Sequence, residues 1–558
     1  MVLFGLIHLW DALFRFGIDE VYLPPFETFL FSVWVLVRNV VGFTLFISAP
    51  TLILGKWSRI LLIPAFCYFV AIESVARYSE RMFSLELSTE WLQLLQNSSA
   101  DEILRFIRMS MTSWFVLGVA VLLLVAFAGS FLLWRASYPK PSRRSVLTGV
   151  VFCVPLFVTN FLLAEWQGAS WKYALNQMTY TQFIHGTLLS VRETSGANQA
   201  FCNLSLPAKL SVGVAKGDLP DGVFVIGESS TRNNWHLYGY PRETTPCMDA
   251  LCEKGEVVKF DDVVGVHPLT TGALSLLLTD MYVEDMRHGC WTLPEVYRRA
   301  GYRCVLISNQ YSWGSTNSLV YKVFNGCEKR MSPRSEFSED GYDGRLVEIL
   351  EKEMRSGDGR PTIAFLHLAG IHYPVEPSRV HPPEYSHFTD KVDSESIGRF
   401  SESIRDRLNR YDDGILYEDK VLDMVIDVMR KRTRPSFMFF MSDHGESPRA
   451  QIWRSCEDED IYEIPVLVWF SRRYGEKFAG TVKRVQDAAS KRMQPDEMTY
   501  GLLDFGFIQG IEPPPGRMSF LDENFVGRFP RVIYKGKMRY SKDTNLYSNP
   551  QAVQKPAS

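Results

Sequence analysis

Two patterns of hydrophobic and polar residues divide the chain. Residues 1–166 hold long apolar runs with few charged residues, whereas the remainder alternates short apolar runs with charged, glycine- and proline-containing segments. Because a helix needs about 20 apolar residues to span a bilayer, the first pattern predicts a transmembrane domain. The second pattern predicts a water-exposed domain built of strands and helices.

Five stretches of the first pattern are candidate transmembrane helices. They are residues 2–16, 29–54, 60–75, 113–134 and 145–166. Arg38 lies near the middle of the second stretch, where an arginine costs about 2.5–3.5 kcal/mol on insertion scales, so we expect it to face other helices or a polar cavity. Asp11 and Arg15 interrupt the first stretch, and an interfacial helix is the alternative there.

The positive charges of the loops predict the orientation of this domain. The loop 135–144 carries four Lys or Arg residues and the turn 55–59 carries two, which places both loops in the cytoplasm. The acidic loop 19–27 then lies outside. With five spans the N-terminus is cytoplasmic, and everything after residue 166 is outside, which is the periplasm if this is a bacterial inner membrane.

The second pattern predicts an α/β domain with a mostly parallel sheet and helices on both faces. Apolar strands are expected at 222–227, 304–309, 362–368, 436–442 and 464–469, and helices at 293–301 and 417–432. We expect the domain itself to cover 221–540, with a C-terminal tail at 541–558. Residues 167–220 are interpreted as a periplasmic linker with interfacial helices, and a plain solvated connector is the alternative.

Composition excludes two classes of site. The net charge of −3 and the pI near 6.4 leave no clustered basic surface of the kind that binds nucleic acid. None of the nine cysteines forms a C-x-x-C pair, so a zinc site made of thiolates is not expected.

Three polar residues follow directly after two of the expected strands. Glu228 comes after the first strand, and Asp443 and His444 come after the fourth. Because ligands gather at the carboxyl ends of parallel strands, we expect these side chains to meet at one edge of the sheet. Their oxygen and nitrogen atoms predict a divalent metal site that favours zinc, with manganese as the alternative.

Thr270 is the candidate nucleophile. It follows a turn that contains His267 and Pro268, and an apolar-periodic helix begins there. The amino end of a helix favours phosphate, and a metal acidifies a bound hydroxyl as it does bound water. An ordinary helix cap is the alternative role for this threonine, and Thr271 is the alternative nucleophile.

Five segments together resemble a known family. They are GESSTRNNWHLYGYPRETTP (227–246), the Thr270 turn, HLAGIH (367–372), YDDGILYEDKVL (411–422) and SDHGE (442–446). In this order they resemble the bacterial phosphoethanolamine transferases, which are membrane-anchored members of the alkaline phosphatase/sulfatase superfamily. The HPLT turn resembles the branch that acts on the lipopolysaccharide core. The resemblance extends from about residue 222 to residue 511 and makes 221–540 the expected sulfatase-like catalytic domain.

The resemblance implies a two-step transfer. Zinc held by Glu228, Asp443, His444 and Thr270 activates Thr270, which attacks phosphatidylethanolamine and releases diacylglycerol. A phosphoethanolamine-threonine intermediate then passes its group to lipopolysaccharide, at a core heptose or at lipid A, or to another envelope glycan. The protein is expected to be a multi-pass enzyme embedded in the bacterial inner membrane.

Two further residues match substrate-side positions of the family, His372 and Asn309, and a ligand of a second metal is the alternative role for His372. Arg232 either pairs with a phosphate or has a structural role, and the structural role is preferred. Lipid A-modifying members carry a further histidine about a dozen residues after the DHG histidine, where this chain has Cys456. One zinc site is therefore expected, and a second site stays open.

Three alternative functions remain to be weighed. A phosphoglycerol transferase that acts on periplasmic glucan or another envelope acceptor shares the anchor, metal and threonine, but the LYGY-R-TTP run favours the phosphoethanolamine branch. A sulfatase needs a Cys or Ser in a C/S-x-P-x-R context at the nucleophile turn, which is missing here. A non-catalytic scaffold would not need all four of the expected metal and nucleophile residues, which are Glu228, Thr270, Asp443 and His444.

Overall fold

The computed structural model describes residues 212–214, 218–284, 291–310, 322–333, 341–371, 380–389, 402–449, 458–533, 536 and 538–543. The chain divides into two compact units, Met1–Glu193 and Thr194–Ser558, and the described residues all belong to the second. The five candidate spans lie outside the described residues, so they stay predictions, as do the domain boundaries. Within the described ranges, no helix combines the length and the apolar character that crossing a membrane requires.

A seven-stranded sheet forms the centre of the described unit, in the order β3-β8-β7-β2-β6-β4-β5. Two short antiparallel pairs, β1 with β9 and β10 with β11, lie outside it. In chain order the strands are β1 Gly213–Val214, β2 Asp221–Gly227, β3 Val257–Lys259, β4 Arg303–Ser308, β5 Lys329–Met331, β6 Thr362–His367, β7 Ser436–Ser442, β8 Val466–Phe470, β9 Ile508–Gln509, β10 Val532–Ile533 and β11 Met538–Arg539.

The sheet is mixed but mostly parallel, which confirms the α/β fold predicted for this domain. Strands β7, β2, β6, β4 and β5 are parallel neighbours. Strand β8 runs antiparallel to both β7 and β3. The apolar run 464–469 was expected as a strand and forms β8, but its direction is opposite to that of its neighbour β7. A run of apolar residues predicts that a strand is buried. It does not predict whether the strand is parallel or antiparallel to its neighbour, because the same side chains are buried in either direction.

Helices cover both faces of this sheet, as predicted. In chain order they are α1 Pro246–Glu253, α2 Thr270–Leu278, α3 Leu293–Arg299, α4 Gly344–Arg355, α5 Glu402–Arg430, α6 Arg472–Lys477, α7 Ala479–Ala488 and α8 Pro495–Asp504. Helices α1, α4 and α5 contribute to the apolar core on one face, and α2, α3, α7 and α8 contribute to the core on the other.

Strand β2 shows why the sheet is buried on both sides. All seven of its residues are buried, and successive side chains of a strand point to opposite faces. Phe224 and Ile226 therefore join one core, while Val223 and Val225 join the other. Phe224 stacks on Phe365 with ring centroids 5.2 Å apart. A strand buried in this way is fixed along its length, and so is the residue that follows it.

Candidate metal centre

The carboxyl ends of β2 and β7 bring Glu228, Asp443 and His444 together, as the sequence predicted. The two strands pair in parallel register, with Gly227 opposite Ser442, so the next residue of each strand emerges at the same edge. One ligand atom from each of the three side chains lies within 4.8 Å of the others, and all three residues are buried.

Each oxygen of the Glu228 carboxylate has its own partners. Oε1 accepts a hydrogen bond from Ser229 Oγ at 2.7 Å and lies 3.6 Å from His444 Nε2. Oε2 accepts from Thr270 Oγ1 at 3.2 Å and from Gln310 Nε2 at 3.1 Å. The carboxylate therefore turns one oxygen toward the histidine and the other toward the candidate nucleophile.

Backbone groups orient Asp443 and His444. Asp443 Oδ1 accepts hydrogen bonds from the amides of Ser229 at 3.0 Å and His444 at 2.7 Å, while Oδ2 lies 3.5 Å from His444 Nε2. His444 Nδ1 lies 2.9 Å from the carbonyl oxygen of Gly445. Because a carbonyl only accepts, Nδ1 donates this hydrogen bond, and Nε2 is the ring nitrogen that faces the two carboxylates and would bind a metal.

This donor set fits a divalent ion. Two carboxylates and an imidazole lie within 4.8 Å of one another in a buried site, and two buried negative charges at this separation repel unless a cation offsets them. Oxygen and imidazole nitrogen donors suit zinc, and manganese is less favoured by the imidazole. The coordination that the sequence predicted is therefore compatible with the geometry.

A third nearby carboxyl adds little negative charge at neutral pH. Burial raises the pKa of Glu418 to about 8, although a hydrogen bond from Ser230 lowers it. Ser230 Oγ donates to Glu418 Oε2 at 2.6 Å, directly behind the turn that follows Glu228. At pH 7 this carboxyl is mostly neutral, so it adds little to the negative charge around the site.

Thr270 is the first residue of α2, as the sequence predicted. The N-cap residue is Leu269, whose side chain cannot accept hydrogen bonds from the amides of the first turn. Gly272 is required there, because a Cβ at this position would lie 2.2 Å from the ring of His267. The turn and the helix thus pack tightly and direct the Thr270 hydroxyl toward Glu228, at the amino end of α2.

Gln310 is a site residue that the sequence reasoning missed. Its side-chain amide donates to both Glu228 Oε2, at 3.1 Å, and the carbonyl oxygen of Leu368, at 2.6 Å. The neighbouring Asn309 is fully buried and donates its side chain to Gly341 and Asp343. The substrate-side role of Asn309 stays a prediction. The sequence does show two adjacent polar residues, Asn309 and Gln310, after β4. It does not show which of the two side chains faces the metal site.

The predicted position His372 lies outside the described residues, and so does Cys456. The turn that leads to His372 is described. Gly370 has a positive φ of 54°, and a Cβ there would lie 2.5 Å from the carbonyl oxygen of Glu228. Asp343 holds this turn by accepting hydrogen bonds from the amides of Ala369 and Gly370 at 2.8 and 2.9 Å.

Arg232 makes structural contacts, in agreement with the preferred interpretation. Its guanidinium pairs with Glu463, and Nη1 donates to the carbonyl oxygens of Asp261 and Val263. These partners lie in the loop after β3 and in the segment before β8. Arg232 connects both of them to the segment that follows Glu228.

Comparison with known proteins agrees with this fold. The model of the sulfatase family matches residues 220–505. The chain belongs to the sulfatase family. The matched residues include all of β2 to β8 and the positions of all six candidate site residues.

Two curated relatives of this sulfatase-family chain carry a more specific name. Phosphoethanolamine transferase EptC of Escherichia coli K12 is 25% identical over 448 residues, which cover 74% of this chain and 72% of the relative. Phosphoethanolamine transferase EptA of Helicobacter pylori is 24% identical over 437 residues, which cover 76% of this chain and 78% of the relative. The family that the sequence motifs predicted is confirmed, and so is the expectation of an enzyme.

Two solved structures share the fold of this sulfatase-family member. The integral membrane phosphoethanolamine transferase EptA of Neisseria meningitidis has a TM-score of 0.65 and 19% identity, covering 91% of this chain and 96% of its own. The periplasmic domain of E. coli EptC, crystallised in complex with Zn, has a TM-score of 0.52 and 22% identity, covering 61% of this chain and 99% of its own.

Proposed function

We propose that this protein transfers phosphoethanolamine from phosphatidylethanolamine, through Thr270, to a lipopolysaccharide acceptor and releases diacylglycerol. The observation that carries the proposal is the Thr270 hydroxyl, 3.2 Å from Glu228 Oε2 at the first residue of α2. A nucleophile beside a metal-ligand carboxylate and at a helix amino end is suited to phosphoryl transfer. The curated relatives are named phosphoethanolamine transferases, which supports phosphoethanolamine as the transferred group.

The residues that would hold one zinc ion are Glu228, Asp443, His444 and Thr270. Zinc would supply a Lewis acid that acidifies the threonine hydroxyl and offsets the charge of the phosphoryl oxygens. The zinc complex of the E. coli EptC domain supports this choice of metal over manganese.

The first displacement uses groups that the structure already orients. Glu228 Oε2 accepts the hydrogen bond of the Thr270 hydroxyl and thereby directs Oγ1. Oγ1 loses its proton and forms a bond to the phosphorus of the donor, the bond from phosphorus to the diacylglycerol oxygen breaks, and that oxygen takes one proton, so the step consumes no net proton. The amino end of α2 stabilises the negative charge that develops on the phosphoryl oxygens.

The second displacement reverses the role of Thr270. A hydroxyl or phosphate oxygen of the acceptor attacks the same phosphorus, and the bond to Thr270 Oγ1 breaks. Thr270 then regains its proton, and Glu228 Oε2 again accepts its hydrogen bond. Two separate displacements let the bulky lipid product leave before the acceptor binds.

The location of the reaction follows from the predicted anchor. We propose a multi-pass protein of the bacterial inner membrane with a cytoplasmic N-terminus and a periplasmic catalytic domain. The likeness to an integral membrane EptA over 91% of this chain supports an anchored enzyme. A core heptose and a lipid A phosphate are both acceptors that this account allows.

The test uses the full-length protein in detergent with acyl-labelled phosphatidylethanolamine. Release of labelled diacylglycerol is measured in the wild type and Thr270→Ala, before and after chelation and zinc return. We expect zinc-dependent release by the wild type and none by the variant. Mass spectrometry of lipopolysaccharide from cells with and without the gene then locates the added group.

Two outcomes favour the alternatives. Release from phosphatidylglycerol alone would favour the phosphoglycerol transferase. If neither lipid is turned over by protein that is fully loaded with metal, the non-catalytic scaffold is favoured instead.

A further inference from the structure

Two of the motifs that mark the family have no part in the proposed chemistry. They are the run LYGYPRETTP at 237–246 and the run YDDGILYEDKVL at 411–422. The structure joins them, because the second lies on α5 and the first follows the metal site along the chain. The second run contacts the turn that follows Glu228, and the first run contacts the second.

Ser229 is the centre of that turn and holds both metal-ligand carboxylates. Its amide donates to Asp443 Oδ1 at 3.0 Å, and its hydroxyl donates to Glu228 Oε1 at 2.7 Å. Its φ is +61°, which is the left-handed region. For a residue other than glycine this conformation costs about 1–3 kcal/mol, and it persists only where surrounding contacts stabilise it.

Tyr411 of α5 is the side chain that holds the Ser229 turn. Its hydroxyl donates to the carbonyl oxygen of Ser229 at 2.6 Å and accepts from the amide of Thr231 at 2.9 Å. The tyrosine is fully buried, so no water replaces these bonds. One hydroxyl thus bridges the two sides of Ser230.

The next residue of α5, Asp412, ties the same helix to the LYGYPRETTP run. Its Oδ2 accepts from Arg242 Nη1 at 2.7 Å and from Tyr240 Oη at 2.8 Å, and its Oδ1 accepts from Asn234 Nδ2 at 2.6 Å. The three donors come from one short segment after the Ser229 turn. This buried cluster fixes the position of α5 at the point where Tyr411 meets the turn.

We propose that Tyr411 is a positioning residue for the metal site, with the LYGYPRETTP run as its anchor through Asp412. The Tyr411 hydroxyl holds Ser229 in its left-handed conformation, and Ser229 in turn holds the carboxylates of Glu228 and Asp443 at the spacing that binds the ion. The inference rests on the proposed function, since that function supplies the metal.

The test compares two Tyr→Phe variants of the full-length protein in detergent. Tyr411→Phe removes the hydroxyl that bridges Ser229 and Thr231. The control is Tyr417→Phe, a change on the same helix as Tyr411. It removes a hydroxyl that accepts a hydrogen bond of 3.0 Å from the amide of Gly344 on α4. Zinc affinity is measured by competition with a chromogenic chelator, and the geometry of the site by the visible spectrum of the Co²⁺ form. Thermal unfolding is recorded for both variants.

We expect zinc affinity to fall by about 10- to 100-fold in Tyr411→Phe, as for other groups that support metal ligands, with a changed Co²⁺ spectrum. Tyr417→Phe should bind zinc like the wild type, even if its thermal stability falls as much. Equal zinc affinity in Tyr411→Phe and the wild type would overturn the inference, and so would an equal loss in both variants.

A second comparison separates the strain of the Ser229 turn from a general effect of Tyr411→Phe on folding. Glycine adopts a positive φ without strain, so Ser229→Gly depends less on the Tyr411 hydroxyl. In the Ser229→Gly background, Tyr411→Phe should lower zinc affinity by a smaller factor than it does in the wild-type background. An undiminished loss in that background would refute the inference. Wild-type protein that binds no zinc would overturn the metal centre of the proposed function, and this inference with it.

Discussion

Arg242 and Asp412 form an ion pair in which Nη1 and Oδ2 are 2.7 Å apart and both side chains are fully buried. Burial raises the pKa of Asp412 to about 6, although Arg242 lowers it. At pH 7 the carboxyl is therefore mostly charged and depends on the arginine, the tyrosine and the asparagine that surround it.

Removing Arg242 should destabilise the fold strongly. Arg242→Met leaves the Asp412 carboxylate buried without its cation, and breaking a buried pair in this way costs about 3–5 kcal/mol. The free energy of unfolding is measured by urea denaturation, followed by tryptophan fluorescence. Arg355→Met is the control, because Arg355 pairs with Glu351 at an exposed site, where a pair contributes about 0–1 kcal/mol. Equal losses in the two variants would contradict the buried pair.

Zinc should stabilise the protein through Glu228. An ion that binds only the folded state adds about 2.7 kcal/mol when its free concentration is 100 times its dissociation constant. Glu228→Gln should abolish this gain, because an amide is a far weaker ligand than a carboxylate. Thermal unfolding with and without zinc measures the effect. Glu256→Gln, at an exposed surface pair with Arg430, should keep the full gain, and a full gain in Glu228→Gln would refute this ligand.

Gly272→Ala should displace the nucleophile. Its Cβ would meet the His267 ring at 2.2 Å, so the turn or the first turn of α2 must shift, and Thr270 with it. A misplacement of about 1 Å costs about 10²-fold in rate, which steady-state diacylglycerol release measures. Gly480→Ala is the matched control, since a Cβ at that helical glycine meets nothing within 4 Å. Unchanged kcat/KM in Gly272→Ala would contradict the packing of this turn.

Asp419 should make stability depend on pH. Burial raises the pKa of its carboxyl to about 7, although hydrogen bonds from the amides of Cys247 and Met248 lower it; an unfolded aspartate has a pKa of about 3.9. The folded state thus holds the proton more tightly. The contribution to stability is complete below about pH 4 and is lost as the pH rises through about 7.

Asp419→Asn removes this proton-binding group. Urea unfolding at pH 5 and at pH 7.5 should show that the wild type loses more of its free energy of unfolding across this interval than the variant does. Only the change in the free energy of unfolding between the two pH values is compared. A loss of stability that the Asp419→Asn substitution causes equally at both pH values therefore does not affect the result. Equal slopes would show that Asp419 ionises normally in the folded protein.

The sequence predicts the metal-ligand set because of where its residues stand. Glu228, Asp443 and His444 each follow an apolar run, and parallel strands place such residues at one edge. Thr270 follows the same logic, since a threonine before an apolar-periodic helix is expected at its first turn. These positions need only the local pattern and the general geometry of parallel sheets.

Other features depend on partners that lie far away in the sequence. Tyr411 meets Ser229 across 182 positions, and Asp412 meets Arg242 across 170, so no local pattern identifies either contact. Gln310 and Asn309 are adjacent polar residues at a strand end, and only the path of the backbone after β4 decides which one reaches Glu228.

The most direct test of the account is the covalent state of Thr270. Full-length protein is incubated with phosphatidylethanolamine and zinc in the absence of acceptor, quenched in acid and digested for mass spectrometry. We expect a phosphoethanolamine group on the Thr270 hydroxyl, and its loss in Thr270→Ala and after chelation. Diacylglycerol release without any modification of Thr270, or with the group on another residue, would contradict it.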